Sequence, residues 1–394
     1  MYKVPYFDLS DEQFSLASDA VMSAREQSWC AETNYGLAVL RYQEVNELLK
    51  DKRLIQGSAA WPAHNGVTEG PFVDWWGDSV LNREGDEHAR LRRLMSPAFA
   101  PLVIRSLLPR FEALAEELVD AFAAERRCEF MSQFATPYAA RVTAILLGLP
   151  EGEWREIAAS ASTLGLALGV RIKADLDQVE AALAELFDYA DRVIADRRAH
   201  PRDDFATRLV EASEDADRLS DRELRDAIVL LIFGGIDTTR NQLGLAMRTF
   251  IEHADQWELL AREPELAPKA VDEVMRIAPT VTWITREAAE DFEFQDRRIA
   301  KGTTIHLFTQ AAATDPRAFA GADFDIAAER ARHFGFGRGI HHCLGHFVAK
   351  SDMSEALPVL ARRLRNPRLD GEPVYLPPSG NTGPVELPVA FDSA

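Results

Sequence analysis

One ten-residue stretch, 336–345, most constrains what this chain can fold into. It reads Phe-Gly-Arg-Gly-Ile-His-His-Cys-Leu-Gly and precedes a segment, 347–364, that we predict to be a helix. Gly337 and Gly339 permit backbone angles that other residues resist, so the stretch can turn sharply. A helix that begins just after Cys343 places its positive dipole end near the sulfur and favours the thiolate. The pattern therefore predicts a thiolate that binds a soft metal.

Two other interpretations of this stretch remain open on its residues alone. His341, His342, Cys343 and His346 could form a zinc cluster, although structural zinc sites usually pair two separated knuckles and the sequence has no second one. The cysteine could also be a buried structural residue in a turn. The rest of the chain has to decide between a metal-binding thiolate and these alternatives.

A long helix is the second constraint, and we predict it over residues 220–253. Ser220 and Glu223 form a capping box at its start. At 1.5 Å per residue the helix extends roughly 50 Å and must cross the interior. Its middle, 234–239, reads Gly-Gly-Ile-Asp-Thr-Thr, and both the glycines and the buried Asp237 destabilise a helix. Such residues together indicate a functional site; the alternative is a glycine-mediated helix crossing with a satisfied aspartate.

A third pattern is a pair of basic residues, His88 and Arg92, spaced four apart at a predicted helix start. Residues four apart lie on one helix face. Two donors on one face suit an anionic group such as a carboxylate. The alternative is an ordinary solvated basic face.

These patterns closely resemble those of the cytochrome P-450 family. The stretch 336–345 matches the family's haem-ligand signature, F-G-x-G-x-H-x-C-x-G, at every fixed position. Residues 234–239 match A/G-G-x-D/E-T-T, with glycine where alanine is more usual. His88 and Arg92 match H-x-x-x-R, and the segment 273–276 matches E-x-x-R. The motifs occur in the family's order, and order with spacing is far more specific than any single motif.

The resemblance implies a mainly α fold with a small β region, as a single domain over 1–394. Haem b would lie between the 220–253 helix and the helix after the cysteine loop, with Cys343 as the axial ligand of the iron. The remaining cofactor contacts that it implies are of three kinds. Phe336 would shield the sulfur, and Gly345 would leave room for the haem ring. Gly234 and Gly235 would leave space for dioxygen. The haem propionates would be held by His88, Arg92, Arg286 and His341.

The resemblance also assigns catalytic and structural roles. Asp237 and Thr238 match the family's acid–alcohol pair, in which a hydroxyl holds water near bound dioxygen and a carboxylate relays protons from solvent. Glu273 and Arg276 would form a buried ion pair that locks the core around the haem loop.

The substrate pocket is predicted mainly from apolar side chains. Residues 56–84 read as a loop, which in the family covers the pocket, and 280–285 reads as a strand whose side chains would face it. We also expect residues 380–391 to form a hairpin. The predicted pocket residues, which suggest an apolar or aromatic substrate, are Trp61, Phe72, Trp75, Trp76, Val281, Thr282 and Trp283.

Composition limits partners and location. The chain has 44 basic and 63 acidic residues, a net charge of −19, which argues against nucleic acid as the main partner. Three cysteines, no apolar run of membrane-spanning length and no basic, apolar leader predict a cytoplasmic protein without a membrane anchor. We expect five arginines to gather on the cysteine side and dock an acidic ferredoxin: Arg90, Arg93, Arg330, Arg332 and Arg338.

The sequence thus predicts a haem-thiolate monooxygenase that uses dioxygen and NAD(P)H-derived electrons, delivered by a ferredoxin and its reductase. It would oxidise a small apolar or aromatic substrate, and we expect it to act in secondary metabolism. Alternatives are a haem-thiolate enzyme with another outcome (peroxygenase, aromatic coupling or nitration) and a non-enzymatic haem sensor or carrier.

Overall fold

A computed structural model describes residues 4–212, 219–321 and 323–393. Helices hold 58% of the chain and strands 14%, which confirms the predicted mainly α architecture with a small β region. The helices are α1 Asp19–Gln27, α2 Tyr42–Leu48, α3 Trp61–His64, α4 Pro71–Asp78, α5 Gly85–Met95, α6 Pro101–Asp120, α7 Thr136–Leu147, α8 Trp154–Gly165, α9 Ile172–Ala199, α10 Phe205–Ala212, α11 Asp221–Glu252, α12 Ala254–Arg262, α13 Ala267–Ile277, α14 Thr309–Ala313 and α15 His346–Arg363.

The strands form one larger sheet and three small ones. The larger sheet has the order β1-β2-β3-β9-β6-β4, and the small ones pair β10-β13-β5, β11-β12 and β7-β8. Their bounds are β1 Tyr6–Phe7, β2 Cys30–Thr33, β3 Gly36–Val39, β4 Leu54–Gln56, β5 Arg127–Glu129, β6 Trp283–Ala288, β7 Phe292–Phe294, β8 Arg297–Ile299, β9 Thr304–Phe308, β10 Leu364–Leu369, β11 Val374–Tyr375, β12 Pro384–Glu386 and β13 Pro388–Ser393.

Helix α11 crosses the interior as predicted. Its capping box is complete, because the Ser220 hydroxyl accepts from the backbone N–H of Glu223 and the Glu223 carboxylate accepts from that of Ser220. Of its 32 residues, 19 are buried. The helix joins the two largest hydrophobic clusters: Leu243 and Phe250 pack with α6, α7, α13 and α15, whereas Ile232 and Phe233 pack with α8, α9 and α10.

Three predictions of local structure were wrong. The segment 56–84 contains the helices α3 and α4, since Pro62 and Pro71 occupy first-turn positions where a missing N–H costs nothing. The strand predicted over 280–285 begins only at Trp283. Residues 380–391 do not form a hairpin with each other, because β12 pairs with β11 and β13 pairs with β10 and β5.

Among the described residues, no helix combines the length and apolar character needed to cross a membrane.

One buried side chain in the larger sheet sets a pH limit on stability. His306 of β9 is fully buried beside the Trp61 and Trp283 rings, and no described residue forms a hydrogen bond with either of its ring nitrogens. Burial, and secondarily the charge of His64, lowers its pKa to about 3. The ring therefore stays neutral in the folded protein, whereas in the unfolded chain it takes up a proton near the ordinary histidine pKa of 6.5.

We predict that His306→Leu makes the protein less sensitive to acid. A histidine whose folded pKa is depressed contributes stability above its unfolded pKa of 6.5, and that contribution is lost as pH falls from there towards 3. Between about pH 7.5 and about pH 5 the wild type should lose about 2 kcal/mol more unfolding free energy than the variant. Urea unfolding at both pH values measures the difference; equal losses would contradict the assignment.

Candidate functional site

The cysteine loop turns on its two glycines. Gly337 and Gly339 have φ angles of +67° and +73°, in the left-handed region that glycine adopts without strain. The backbone N–H of Cys343 donates to the carbonyl of Phe336 at 2.9 Å and closes the loop. Helix α15 begins at residue 346. As predicted, the chain turns at the glycines, reaches Cys343 and then begins a helix.

The Cys343 thiol is held by the start of α15. Backbone N–H groups of Gly345 and His346 point at its sulfur, and Arg92 lies close enough to act on it electrostatically. Burial raises the pKa of the thiol, and these groups lower it. Cys343 is exposed as a residue, although many protein atoms lie around its thiol. A cysteine that keeps exposed surface in such surroundings fits the edge of a cleft better than a structural cysteine in the core.

Phe336 packs among histidine rings. Its ring centroid is 6.2 Å from that of His346 and 6.5 Å from that of His342. Within residues 4–212, 219–321 and 323–393, no three histidine, cysteine or acidic side chains are placed to bind an ion together. The zinc alternative therefore finds no support in the geometry.

Four basic side chains converge beside the thiol from three elements. The His88 ring of α5 lies 4.3 Å from the His341 ring, centroid to centroid, and His341 Nε2 is 3.0 Å from Glu84 Oε1. Burial is the main cause that lowers the pKa of His341. The charges of Arg286 in β6 and Arg92 in α5 lower it further. Burial lowers the pKa of Arg286 to about 10 and that of His88 to about 4.

The residues of this basic cluster fit an anionic ligand. The Nε2 atom of His88 is buried and has no hydrogen-bond partner in the described part of the chain. Buried polar atoms in native proteins are almost always satisfied. The charge of the Glu84 carboxylate raises the pKa of Arg286, against the larger lowering by burial. Four basic groups around one carboxylate can accommodate further negative charge, such as the carboxylates of haem.

The two glycines of α11 differ in their surroundings. A Cβ built on Gly234 would meet no atom within 4 Å, so the helix is open at this point. A Cβ on Gly235 would lie 2.7 Å from Thr143 Oγ1, so this glycine is required for α11 to pack on α7. The prediction that both glycines leave space for a ligand was therefore wrong for Gly235. Thr238 lies one turn after Gly234 and donates its hydroxyl to the Gly234 carbonyl at 2.5 Å.

Asp237 is buried and multiply bonded. Arg240 donates to its Oδ1 from Nη2 at 2.7 Å and from Nε at 3.1 Å, and the Asn381 side-chain amide donates to Oδ2. Burial raises its pKa, while Arg240 and Asn381 lower it. A Cβ on Gly165, the last residue of α8, would lie 2.9 Å from the Asp237 carboxylate. Asp237 thus joins α11, α8 and the C-terminal segment.

Glu273 and Arg276 form the buried ion pair of α13. Arg276 donates to both carboxylate oxygens of Glu273 at 2.7 Å, and also to the carbonyl of Ala313 at 3.1 Å. The same carboxylate accepts from the backbone N–H of Asp325 at 3.2 Å. The pair therefore ties α13 to α14 and to the segment that leads into the cysteine loop.

The predicted pocket residues fall into two groups. Trp61 and Trp283 pack together with ring centroids 5.6 Å apart. Next to them, Thr282 donates its hydroxyl to the Ser379 carbonyl at 2.6 Å, and Val281 is half-buried. This group is fixed to the C-terminal segment, and its two tryptophan rings are buried.

The second group lies elsewhere, inside the core. Phe72, Trp75 and Trp76 are each no more than 3% exposed. Trp75 packs edge-on against Phe233 of α11 at 6.4 Å, and Phe72 stacks on Trp76 at 6.0 Å. These three rings anchor α4 in the protein. They belong to a different hydrophobic cluster from the one that contains Trp61 and Trp283.

The five arginines expected on the cysteine side do not form one free patch. Arg90 pairs with Glu223 of α11, and Arg330 donates to the carbonyls of Ala320, Gly321 and Asp323. Arg93 and Arg332 are exposed. Arg332 and Arg338 both act electrostatically on His342, next to the cysteine.

Sequence reasoning missed the partners of the predicted residues. Arg240 had a recognisable signal, because it follows Asp237 by three residues on the same helix. Glu84 and Asn381 had none, since each reaches its partner across more than 140 residues of sequence.

Comparisons with known proteins identify the family. The family model described as cytochrome P-450 matches residues 170–368. Luteothin monooxygenase of Streptomyces thioluteus is 38% identical over 395 residues, covering 99% of this chain and 97% of that relative. Nocardicin C N-oxygenase of Nocardia uniformis subsp. tsuyamanensis is 32% identical, covering 90% and 89%.

A solved structure agrees with these relatives. The crystal structure of CalO2 superposes with a TM-score of 0.87 at 28% identity, covering 96% of this chain and 99% of that one. The match extends over nearly the full length of both proteins. The chain belongs to the cytochrome P-450 family and is a haem-dependent, dioxygen-using monooxygenase of secondary metabolism.

Proposed function

We propose that Cys343 is the axial ligand of haem b, which lies between α11 and the cysteine loop. The observation that carries this proposal is an exposed cysteine whose thiol many protein atoms surround, with N–H groups of Gly345 and His346 directed at it. Those donors stabilise a thiolate as a ligand. Bound haem supplies the binding and reductive activation of dioxygen. On the opposite side, the open helix surface at Gly234 gives that dioxygen room.

The basic cluster holds the haem propionates. His88, Arg92, Arg286 and His341 come from α5, β6 and the cysteine loop, so an anion bound among them joins all three. Arg92 also donates to the carbonyl of His342. The cluster therefore positions the haem edge and the ligand loop together.

Thr238 and Asp237, neighbours on α11, would supply protons to bound dioxygen. The Thr238 hydroxyl donates to the Gly234 carbonyl and keeps its lone pairs for a water molecule. Asp237 lies next to it on α11, and burial raises the pKa of its carboxyl, which favours proton uptake by this group. In this arrangement Thr238 orients the water, and Asp237 passes protons to it from outside.

The substrate is a small apolar or aromatic compound. The wall formed by Trp61, Val281, Thr282 and Trp283 offers ring faces and few polar groups. The segment between α8 and α9 roofs this wall: Val170 N–H donates to the Pro378 carbonyl at 3.2 Å, and Gly380 N–H donates to that of Leu168 at 3.1 Å.

Electrons come from NAD(P)H through a reductase and an acidic ferredoxin in the cytoplasm. Arg93, Arg332 and Arg338 lie on or near the surface beside the cysteine loop. A local basic surface on a protein with a net charge of −19 favours one docking orientation of an acidic partner. The exposed Ile340 in the same loop adds an apolar contact.

We predict that Arg286→Gln weakens haem retention. The glutamine keeps the approximate shape but removes a buried charge from the propionate cluster, and a charge-assisted hydrogen bond contributes about 1.5–3 kcal/mol. Haem transfer to a scavenging apoprotein should therefore accelerate by roughly tenfold or more. Arg298→Gln, an exposed arginine of β8, is the control. Equal transfer rates for both variants would contradict the cluster's role.

We predict that Thr238→Ala uncouples electron use from product formation. Without the hydroxyl, water near the dioxygen is no longer oriented, so reduced oxygen is released as peroxide or water. With a compound that shifts the ferric spin state, product per NADH should fall severalfold. Thr249→Ala, a buried threonine further along α11, should stay coupled. Unchanged coupling in Thr238→Ala would refute the proton-relay role.

We predict that Arg332→Glu slows reduction by an acidic ferredoxin in low salt. Charge steering is screened within about 10 Å at 0.1 M salt, so the difference from wild type should shrink as salt is added. Stopped-flow reduction of the ferric protein measures the rates, with Arg298→Glu as the control. A rate that does not depend on ionic strength would rule out electrostatic docking at this surface.

A further inference from the structure

A second cavity lies beside the haem site, on an adjacent face of α5. Its volume is about 220 Å³, and its walls are the segment after α4, one side of α5 and the first turns of α11. Pockets that take drug-sized ligands measure roughly 300–1,000 Å³, so this one suits a fragment-sized molecule. The lining residues on which the binding argument depends are Asp78, Glu87, Leu91, Glu223, Asp226 and Leu230.

Three of the four carboxylates in this lining are committed to arginines. Asp78 pairs with Arg83 and Arg222, each at 2.5 Å. Glu87 lies 3.3 Å from Arg83. The third carboxylate, that of Glu223, accepts from Arg90 and from the capping serine of its own helix. These pairs link α11 to α5 and to the end of α4 and form a charged rim.

Asp226 is paired more loosely, in ion pairs with Arg222 and Arg225. The residue is 7% exposed, and its buried Oδ1 accepts no hydrogen bond from the residues that the structure describes. The Nε atom of Arg225 lies 3.6 Å from Oδ1, and that of Arg222 lies 3.6 Å from Oδ2; both distances are too long for a hydrogen bond. Burial, the main cause, raises the pKa of Asp226 above its ordinary value. A buried carboxylate oxygen without a donor is costly unless a ligand supplies one.

The surface beyond Asp226 is apolar. Leu91 and Met95 of α5 face Ala227 and Leu230 of α11 across the cavity, and Leu91, Met95 and Ala227 are themselves buried. A molecule held here would contact a carboxylate at one end and aliphatic side chains along its body. Such a combination selects a compact amphiphilic cation rather than an anion or a sugar.

We propose that this cavity is a second binding site, for a fragment-sized organic cation such as an amidinium or ammonium on an apolar body. Its N–H groups donate to Asp226 Oδ1, and its body packs on Leu91, Met95 and Leu230. Because α5 and α11 also carry the haem-site residues, an occupant here stiffens the two helices that flank the haem. The proposal stands independently of the roles assigned to Cys343 and Thr238.

Calorimetric titration of the haem-loaded protein with benzamidinium tests the site. Benzamidinium stays protonated and offers two N–H donors to one carboxylate, so it also avoids acting as a neutral nitrogen ligand of iron. We expect saturable binding to wild type, at least tenfold weaker binding to Asp226→Asn, and unchanged binding to Asp203→Asn, an exposed aspartate. Neutral benzamide, the isosteric control ligand, should bind at least tenfold more weakly than benzamidinium.

A second variant separates loss of the site from loss of the fold. Leu230→Phe adds volume inside the cavity and should reduce benzamidinium binding while haem content and melting temperature stay near those of wild type. Equal affinity of Asp226→Asn and wild type would overturn the proposal, as would the absence of saturable binding to wild type. Equal affinity for benzamidinium and benzamide would also overturn it, because recognition would then not involve the charge.

Discussion

The proposed function depends on keeping a negatively charged sulfur inside a folded protein. A buried thiolate is expensive unless hydrogen-bond donors and positive charge surround it. Here the donors are backbone N–H groups at the start of α15, and Arg92 lies nearby. The left-handed glycines at 337 and 339 allow the turn that brings Cys343 to that helix start. The ion pair of Glu273 and Arg276 then ties α13 to the segments before this loop.

The middle of helix α11 has free space at one residue and tightly held side chains at its neighbours. Gly234 leaves free space, and the hydroxyl of Thr238 is held by the carbonyl of that same glycine. Asp237 is restrained by Arg240, by Asn381 and by the close approach of α8. The acid of the predicted relay is therefore connected to the roof over the substrate, since the segment that carries Asn381 also bonds the loop after α8.

The parts of this account that were predictable from sequence are those carried by local patterns. The cysteine loop, the capped central helix and the i, i+3 pair of α13 each lie within a few residues, so spacing alone predicts their geometry. Prediction failed where distant packing decides the outcome. The aromatic residues of 56–84 became the helices α3 and α4, because burial of Phe72 and Trp75 rewards a helix over a loop. Gly235 serves the contact with α7, which no local pattern reveals.

The claim on which the rest depends is thiolate ligation by Cys343. The most direct test is the absorption spectrum of the reduced, carbon monoxide-bound protein, compared between wild type and Cys343→His after haem is supplied to both. We expect the red-shifted Soret band of thiolate-ligated haem in wild type and its replacement, in the variant, by the band of imidazole-ligated haem. The same thiolate band in both proteins would contradict the account.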